Sequence, residues 1–124
     1  MSYKPEGYTD LAPYLMVTDA RAVLDFAAQV FGAQELRVFP GETGGIMHAE
    51  TRIGDTVVMM GEMPEAEPVH LHLYLPDPDA AYARALEAGG REIQPMMEKG
   101  DGDRRGGVQS PDGTTWWLAR QVTA

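Results

Sequence analysis

The segment Leu15-Met16-Val17-Thr18-Asp19 has a counterpart in Leu73-Tyr74-Leu75-Pro76-Asp77, and these two stretches decide the fold. Each contains a short apolar run, which favours a buried β-strand. Each ends in an aspartate, which can cap a helix that follows. The two aspartates are 58 residues apart in a chain of 124 residues. This spacing indicates that a unit of about half the chain occurs twice.

Two further landmarks repeat at the same offset. The helical pattern after each aspartate stops at glycine, at Gly32 in the first copy and at Gly89-Gly90 in the second, as left-handed helix ends require. A threonine follows a glycine-containing turn in both copies, at Thr56 and at Thr114. Gly32 and Gly90 are again 58 residues apart, and so are the two threonines. The repeat predicts one domain over 1–124, built from two βαβββ modules at about 8–63 and 69–122.

The predicted class is therefore α+β, with two tandem modules that each contain one helix. In the first module we expect strands at Leu11–Val17, Glu35–Phe39, Ile46–Ile53 and Thr56–Met60, and a helix at Ala20–Phe31. In the second we expect strands at Val69–Leu75, Arg91–Gln94, Gly107–Gln109 and Thr114–Arg120, and a helix at Pro78–Ala88. Gly61–Pro68 is interpreted as a linker, and Lys99–Gly107, rich in glycine and charge, as a mobile surface loop.

Composition narrows the possible environments and partners. The chain carries a net charge of −9, which repels nucleic acid phosphates and anionic lipid but tolerates or attracts a cationic ligand. Its apolar runs are too short to span a membrane. The polar start, Met1 to Asp10, lacks the apolar stretch of a secretory signal. With no cysteine in the sequence, thiolate chemistry and disulfides are excluded, and we expect a cytoplasmic protein.

Strand alternation assigns the side chains to two faces of each sheet. On the fifth predicted strand the leucines form an apolar face under the helices, so the histidines and Tyr74 point to the other side. On the last strand Trp116 and Leu118 point to the core, which places Trp117 on the side of the histidines. The face opposite the helices is predicted to carry Tyr14, Met16, His48, Glu50, Met59, His70, His72, Tyr74 and Trp117.

This combination of aromatic, methionine and polar side chains is unusual for a surface exposed to water and too polar for a core. It is typical of a ligand pocket with apolar walls and a few polar groups that orient the ligand. The alternative interpretation is a dimer interface, which also favours aromatics and methionines.

Catalytic groups are few. His48 and Glu50 lie two residues apart on one strand, so they share a face and are candidates for general acid–base catalysis. A serine or cysteine nucleophile is not indicated, because the chain has no cysteine and its two serines lie in the N-terminal segment and in a turn, at Ser2 and Ser110. The glycine-rich stretches lack the following helix of a phosphate-binding loop.

The order of these landmarks resembles that of the glyoxalase/bleomycin-resistance family, in the vicinal oxygen chelate superfamily. The resemblance rests on the repeated Asp–helix–Gly pattern, on Ile53-Gly54-Asp55, on the run from Gly106 to Gly113 and on the closing Trp116-Trp117 pair. It covers the chain from about Tyr8 to Val122. It implies βαβββ modules that form curled mixed sheets around a cleft, and a homodimer whose chains often complete each other's clefts.

The resemblance also implies four metal-ligand positions, which fall on Ala12, Met59, His70 and Trp117. Only His70 suits a hard or borderline divalent metal, because alanine has no ligand atom and thioether and indole groups are poor ligands. We therefore expect no metal or other cofactor. Relatives without the metal site sequester drugs in an aromatic-lined cleft, so we expect a homodimer that binds an aromatic or cationic small molecule, as antibiotic-resistance proteins do. The alternative is a lyase, an isomerase or an enzyme with a displaced metal, using His48, Glu50, His70 and His72.

Overall fold

The computed structural model describes residues 3–123. These residues form two compact units, one ending at Glu67 and the other beginning at Pro68. Each unit consists of one four-stranded sheet and one helix, and the two units have the same order of elements. The predicted α+β class with two βαβββ modules is confirmed.

The first unit contains one parallel and two antiparallel strand pairs. Its sheet has the order β1-β4-β3-β2, in which β1 runs parallel to β4 and the other neighbours are antiparallel. The elements are β1 (Tyr14–Val17), α1 (Ala20–Phe31), β2 (Gln34–Pro40), β3 (Ile46–Ile53) and β4 (Thr56–Glu62).

Helix α1 forms because its ends and its apolar spacing agree. The Asp19 carboxylate accepts a hydrogen bond from the Ala22 backbone amide at 3.1 Å. Gly32 ends the helix at a φ of +66°, which costs a glycine little because it has no Cβ. Glu62 joins the helix to the sheet, since its carboxylate accepts from the backbone amides of Ala20 and Ile46 at 2.8 Å each. The helix buries Val23, Leu24, Phe26, Ala27 and Val30.

The second unit repeats this topology with the sheet order β5-β8-β7-β6. Tyr14 pairs with Met59 in the first unit and His72 pairs with Trp117 in the second, so the 58-residue offset holds in the strand register. The elements are β5 (His70–Tyr74), α2 (Pro78–Glu87), β6 (Arg91–Glu98), β7 (Asp103–Gln109) and β8 (Thr115–Gln121).

One local prediction in the second unit was wrong. Lys99–Gly107 is not a loop throughout, because Asp103–Gly107 belongs to β7 and pairs with β6 and β8. Its charged side chains are held in ion pairs: Arg104 with Asp79 at 2.7 Å and Arg105 with Asp103 at 2.6 Å. Composition alone therefore suggested a loop where ion pairs and a sheet ladder hold an ordered strand.

Helix α2 ends just before the Gly89-Gly90 pair, as predicted, but the 58-residue offset does not hold there. The left-handed residue is Gly89, with a φ of +96°, and not Gly90. Gly90 is required for another reason, because a Cβ at this position would lie 2.6 Å from the Ala85 carbonyl oxygen. The helix ends do not follow the 58-residue offset that the strands obey.

The face of each sheet that packs on its helix supplies the core. Leu15, Met60, Trp116 and Leu118 are each at most 2% exposed, as predicted from strand alternation. No helix within residues 3–123 is long and apolar enough to cross a membrane.

Candidate functional site

The predicted face of the first unit is present. Tyr14 and Glu50 both lie opposite Met59 in the strand register, which places the three side chains on the side away from helix α1. Met16 and His48 follow by alternation on the same two strands. The face is graded in exposure: Tyr14 is 48% exposed, His48 and Met59 are half-buried, and Glu50 is 3% exposed.

Glu50 is a buried carboxylate at the centre of a hydrogen-bonded chain. One of its oxygens accepts a hydrogen bond from the Tyr8 hydroxyl, and the other lies 2.8 Å from Nε2 of His48. Nδ1 of His48 lies in turn 3.3 Å from the Tyr14 hydroxyl. The guanidinium of Arg37 lies 4.0 Å from Glu50 and stacks over the ring of Tyr8. Four side chains from three segments, Tyr8, Glu50, His48 and Tyr14, thus form one continuous series of hydrogen bonds.

The hydrogen bonds and charges around Glu50 keep its carboxyl group ionised. Burial alone would raise the pKa of the Glu50 carboxyl, but the hydrogen bonds from His48 and Tyr8 and the nearby charges of His48 and Arg37 together lower it. The same hydrogen bond raises the pKa of the Tyr8 hydroxyl. An ionised carboxylate has no proton to donate, so Nε2 of His48 must carry the proton that the pair shares. In neutral His48, Nδ1 is therefore an acceptor facing the Tyr14 hydroxyl.

Aromatic rings surround His48. The Tyr14 ring lies 5.7 Å from the imidazole and the Phe39 ring lies 5.9 Å from it, both measured between centroids. Phe39 lies on β2, the edge strand of the sheet, and is 45% exposed. The imidazole therefore has two aromatic rings within about 6 Å, and its hydrogen bond to the buried Glu50 carboxylate orients it.

In the second unit the corresponding face is built around Trp117. The indole Nε1 donates to Nδ1 of His70 at 3.0 Å, and the two rings are 14° from parallel with centroids 6.1 Å apart. The indole lies against the backbone of Gly107, the residue opposite it on β7. The indole is half-buried and the His70 side chain is exposed, so an aromatic surface is held in place and open to solvent.

Next to this surface, Arg105, His72, Asp103 and Tyr74 are connected by hydrogen bonds. Arg105 donates from Nε to Nε2 of His72 at 3.0 Å and from a terminal nitrogen to Asp103 at 2.6 Å. The Tyr74 hydroxyl donates to the same Asp103 oxygen at 2.8 Å. Burial, followed by the charge of Arg105, lowers the pKa of His72, and the hydrogen bond to Asp103 raises the pKa of Tyr74. His72 is thus held as a neutral acceptor.

The second unit also has an open depression of about 660 Å³. It shares two residues with this hydrogen-bonded group, Tyr74 and Asp103. Its lining comprises Tyr74, Leu75, Pro76, Asp103, Arg120 and Gln121.

The nine predicted site residues fall into two groups. The first unit holds Tyr14, Met16, His48, Glu50 and Met59, and within it the structure brings His48, Glu50 and Tyr14 into contact. The second unit holds His70, His72, Tyr74 and Trp117, with His70 in contact with Trp117 and His72 in contact with Tyr74.

Comparison with known families identifies this architecture. Residues 9–118 match the model of the Glyoxalase/Bleomycin resistance protein/Dioxygenase superfamily. The chain belongs to this superfamily. The resemblance expected from the repeated landmarks is confirmed.

The similarity to other proteins extends over most of the chain. An uncharacterized protein of Mycobacterium bovis is 36% identical over 126 residues, covering 90% of this chain and 83% of that protein. Among solved structures, TioX from Micromonospora sp. ML1 has a TM-score of 0.79 and 25% identity, covering 92% of this chain and 99% of that one. The fosfomycin resistance protein FosX from Mesorhizobium loti has the same fold, with a TM-score of 0.69 and 18% identity, covering 96% and 95%.

The superfamily's metal positions do not fit a metal in this chain. Ala12 offers no ligand atom, and the imidazole of His70 already accepts a hydrogen bond from Trp117, whose indole is a donor only. The thioether of Met59 is a soft and weak ligand. Within residues 3–123, no three histidine, aspartate or glutamate side chains are grouped closely enough to hold an ion. The residues at these four positions thus do not supply the ligands that a divalent metal of the superfamily requires.

Sequence reasoning missed Tyr8, Arg37 and Phe39 in the first unit and Asp103 and Arg105 in the second. Arg105 and Asp103 lay in the segment interpreted as a loop. The repeat itself offered the missing signal, because Ile46–Ile53 shifted by 58 residues falls on 104–111 and therefore predicts β7. Nothing in the sequence marks Tyr8 as a partner of Glu50, since the two are 42 residues apart.

Proposed function

We propose that this chain is a small-molecule-binding protein of the glyoxalase/bleomycin-resistance type, which sequesters an aromatic or cationic compound as a homodimer and without a metal. The observation that carries the proposal is the Trp117–His70 pair, an accessible aromatic surface that is fixed in position. An indole face supplies a large contact area for a planar ligand. Because the ring is already ordered, little conformational entropy is lost when a ligand stacks on it.

The surroundings of Trp117 support binding in preference to chemistry on this face. His70, His72 and Tyr74 all use polar atoms in contacts with their own unit, so they act as walls and orienting groups. Apolar and aromatic walls with a few polar groups are typical of small-molecule sites.

Charge favours a ligand that is not an anion. The chain has a net charge of −9, and Arg105, which donates to His72 next to the aromatic surface, is itself ion-paired with Asp101 and Asp103. A negative field raises the local concentration of cations and repels anions. We therefore expect a planar cation to bind more tightly than a planar anion of similar size.

The comparisons agree with a role of this kind. Solved structures with this fold include fosfomycin resistance proteins and a glyoxalase/bleomycin resistance protein from Streptomyces sp. CB03234, which is 24% identical. These names connect the fold with resistance to small-molecule drugs. The ligand of this chain is proposed from its own residues.

Isothermal titration calorimetry with a charge series of planar probes tests the proposal. The probes are proflavine as a cation, acridine at pH 8 as a neutral ring system, and naphthalene-2-sulfonate as an anion. We expect the affinities to fall in this order. Trp117→Ala should weaken proflavine binding by about 1–3 kcal/mol, or about 5-fold to 150-fold in Kd. A Trp117→Ala affinity equal to that of the wild type would contradict the proposal.

Sedimentation velocity tests the homodimer and separates a pocket from an interface. We expect wild type and Trp117→Ala to be dimeric at micromolar concentration. A monomeric wild type contradicts the dimer. A Trp117→Ala variant that becomes monomeric while its proflavine affinity is unchanged identifies the face as an interface between chains and contradicts the binding site.

A further inference from the structure

The first unit carries a chain of hydrogen bonds that ligand binding around Trp117 does not use. It runs from the Tyr8 hydroxyl through the Glu50 carboxylate and the His48 imidazole to the Tyr14 hydroxyl. Side-chain exposure rises along the pair at its centre, from 5% at Glu50 to 21% at His48, and Tyr14 at the end is 48% exposed. The series thus leads from a buried negative charge at Glu50 to an accessible phenol at Tyr14.

A glycine secures the position of that phenol. A Cβ at Gly61 would lie 2.9 Å from the Tyr14 hydroxyl oxygen and 3.2 Å from the Met47 carbonyl oxygen. The hydroxyl therefore occupies the space that any other residue at position 61 would fill. Gly61 is not among the glycines with positive φ, so backbone conformation does not require it. The absent side chain leaves the hydroxyl within reach of His48.

We infer that Tyr14, His48 and Glu50 form a metal-independent proton-transfer site in the first unit, with Tyr14 as the group that exchanges a proton with a small-molecule substrate. The arrangement has the parts of an activated nucleophile or base: a hydroxyl, an imidazole within reach of it, and a buried carboxylate that orients the imidazole. Glu50 is a positioning residue, because it acts through His48. This inference goes beyond ligand sequestration and involves a different unit of the chain.

The proton movements balance without a cofactor. The Tyr14 O–H bond breaks, its proton passes to Nδ1 of His48, and the products are a phenolate and an imidazolium that Glu50 stabilises. The phenolate oxygen then takes a proton from a C–H group beside a carbonyl of the substrate, and the C–H electron pair becomes the C=C bond of an enol. The imidazolium returns its proton to the carbonyl oxygen. The site ends in its starting state, and no electron acceptor is needed.

The substrate class follows from the spacing of Tyr14 and His48 and from the charge of the protein. A base and an acid 3.3 Å apart can remove a proton at one atom of a compact molecule and deliver one to a neighbouring atom. The buried Glu50 carboxylate and the net charge of −9 disfavour an anion. The substrate is therefore a small carbonyl compound without negative charge.

Acetylation of tyrosines by N-acetylimidazole tests the inference without knowledge of the substrate. The phenol oxygen must lose its proton as it attacks the acetyl carbon, the C–N bond breaks, and imidazole leaves with a proton. Peptide mass spectrometry at pH 7.5 gives the rate at Tyr14 and, as an internal control in the other unit, at Tyr74, which is 65% exposed. We expect His48→Phe and Gly61→Ala each to slow Tyr14 at least about 10-fold while leaving Tyr74 unchanged.

A spectroscopic measurement separates positioning by Glu50 from a structural role. With ¹⁵N-labelled histidine, the wild type should show His48 with its proton on Nε2, and Glu50→Gln should change that tautomer and slow Tyr14 acetylation. Circular dichroism confirms that each variant is folded. The inference is overturned if Tyr14 reacts at the same rate in folded wild type, His48→Phe and Gly61→Ala, or if the proton of His48 is on Nδ1 in the wild type. The affinity for proflavine is independent of these outcomes.

Discussion

The indole of Trp117 lies directly against the backbone of Gly107, its partner on the neighbouring strand. A Cβ added at Gly107 would lie 2.8 Å from Cζ3 and 2.9 Å from Cε3 of the indole. These separations are well below carbon–carbon contact distance, so the ring occupies its position only because residue 107 has no side chain. Gly107 does not have a positive φ, so steric room for the ring is the reason for glycine here.

Gly107→Ala should displace the Trp117 ring and destabilise the second unit by about 1–3 kcal/mol through overpacking. It should also weaken proflavine binding, because the displaced ring no longer lies in position to stack. Denaturant unfolding measures the first effect and calorimetry the second.

The matched control is the same substitution in a Trp117→Ala background. There the new methyl group has no ring to meet, so the cost in stability should largely disappear. An equal cost in both backgrounds would mean that Gly107 is required for a reason other than Trp117.

The two adjacent tryptophans should respond differently to truncation. Trp116 is 1% exposed and donates from Nε1 to the Ser110 hydroxyl at 2.8 Å, so Trp116→Ala should cost about 3–5 kcal/mol of unfolding free energy. Trp117→Ala should cost less, since the indole is only half-buried. Urea unfolding of both variants measures the difference. The reverse order would mean that the register of β8 is off by one residue. Every side chain assigned to this face would then point to the opposite face.

Glu50→Gln should destabilise the protein in a pH-dependent way. The folded-state pKa of Glu50 is lowered, so its contribution is fully present above the unfolded pKa of about 4.3 and is lost as the pH falls through the folded value. At pH 7 we expect a loss of about 1.5–3 kcal/mol, from hydrogen bonds to a buried charge, and a smaller loss near pH 3. Glu87→Gln, at an exposed position on α2, is the control. A loss that is as large at pH 3 as at pH 7 would show that the carboxylate charge contributes nothing.

Purified protein should carry no stoichiometric divalent metal at Ala12, Met59, His70 and Trp117, because this set offers a single good ligand. Elemental analysis and thermal melts with and without a chelator measure this, and we expect an unchanged Tm. Chelator-sensitive metal located at these four positions would overturn the assignment. Metal bound at other side chains would support the alternative of a displaced-metal enzyme.

Much of the fold was predictable because the repeat and the strand alternation are local signals. Asp19 and Asp77 cap their helices as predicted, with side chains 3.1 Å from the amides of Ala22 and Ala80. The alternation around Trp116 and Trp117 correctly predicted which of the two is buried. Such patterns are set by residues close in sequence, which a single chain displays directly.

The remaining features depend on contacts between distant segments. Tyr8 reaches Glu50 across 42 residues, and only the folded chain shows that the carboxylate is buried and hydrogen-bonded to Tyr8 and His48. The strand that begins at Asp103 has the composition of a loop, and its order depends on ion pairs with Asp79 and on pairing with β6 and β8. Charge and glycine content could not reveal those partners.

The most direct test of ligand binding around Trp117 is ¹⁹F NMR of protein labelled with 5-fluorotryptophan. The chain has two tryptophans, so the spectrum has two protein resonances, which Trp116→Phe and Trp117→Phe assign. On titration with proflavine we expect the Trp117 resonance to shift and saturate while the Trp116 resonance stays in place. A Trp117 resonance that remains unchanged at saturating proflavine, or a shift confined to Trp116, would contradict a binding site on this face.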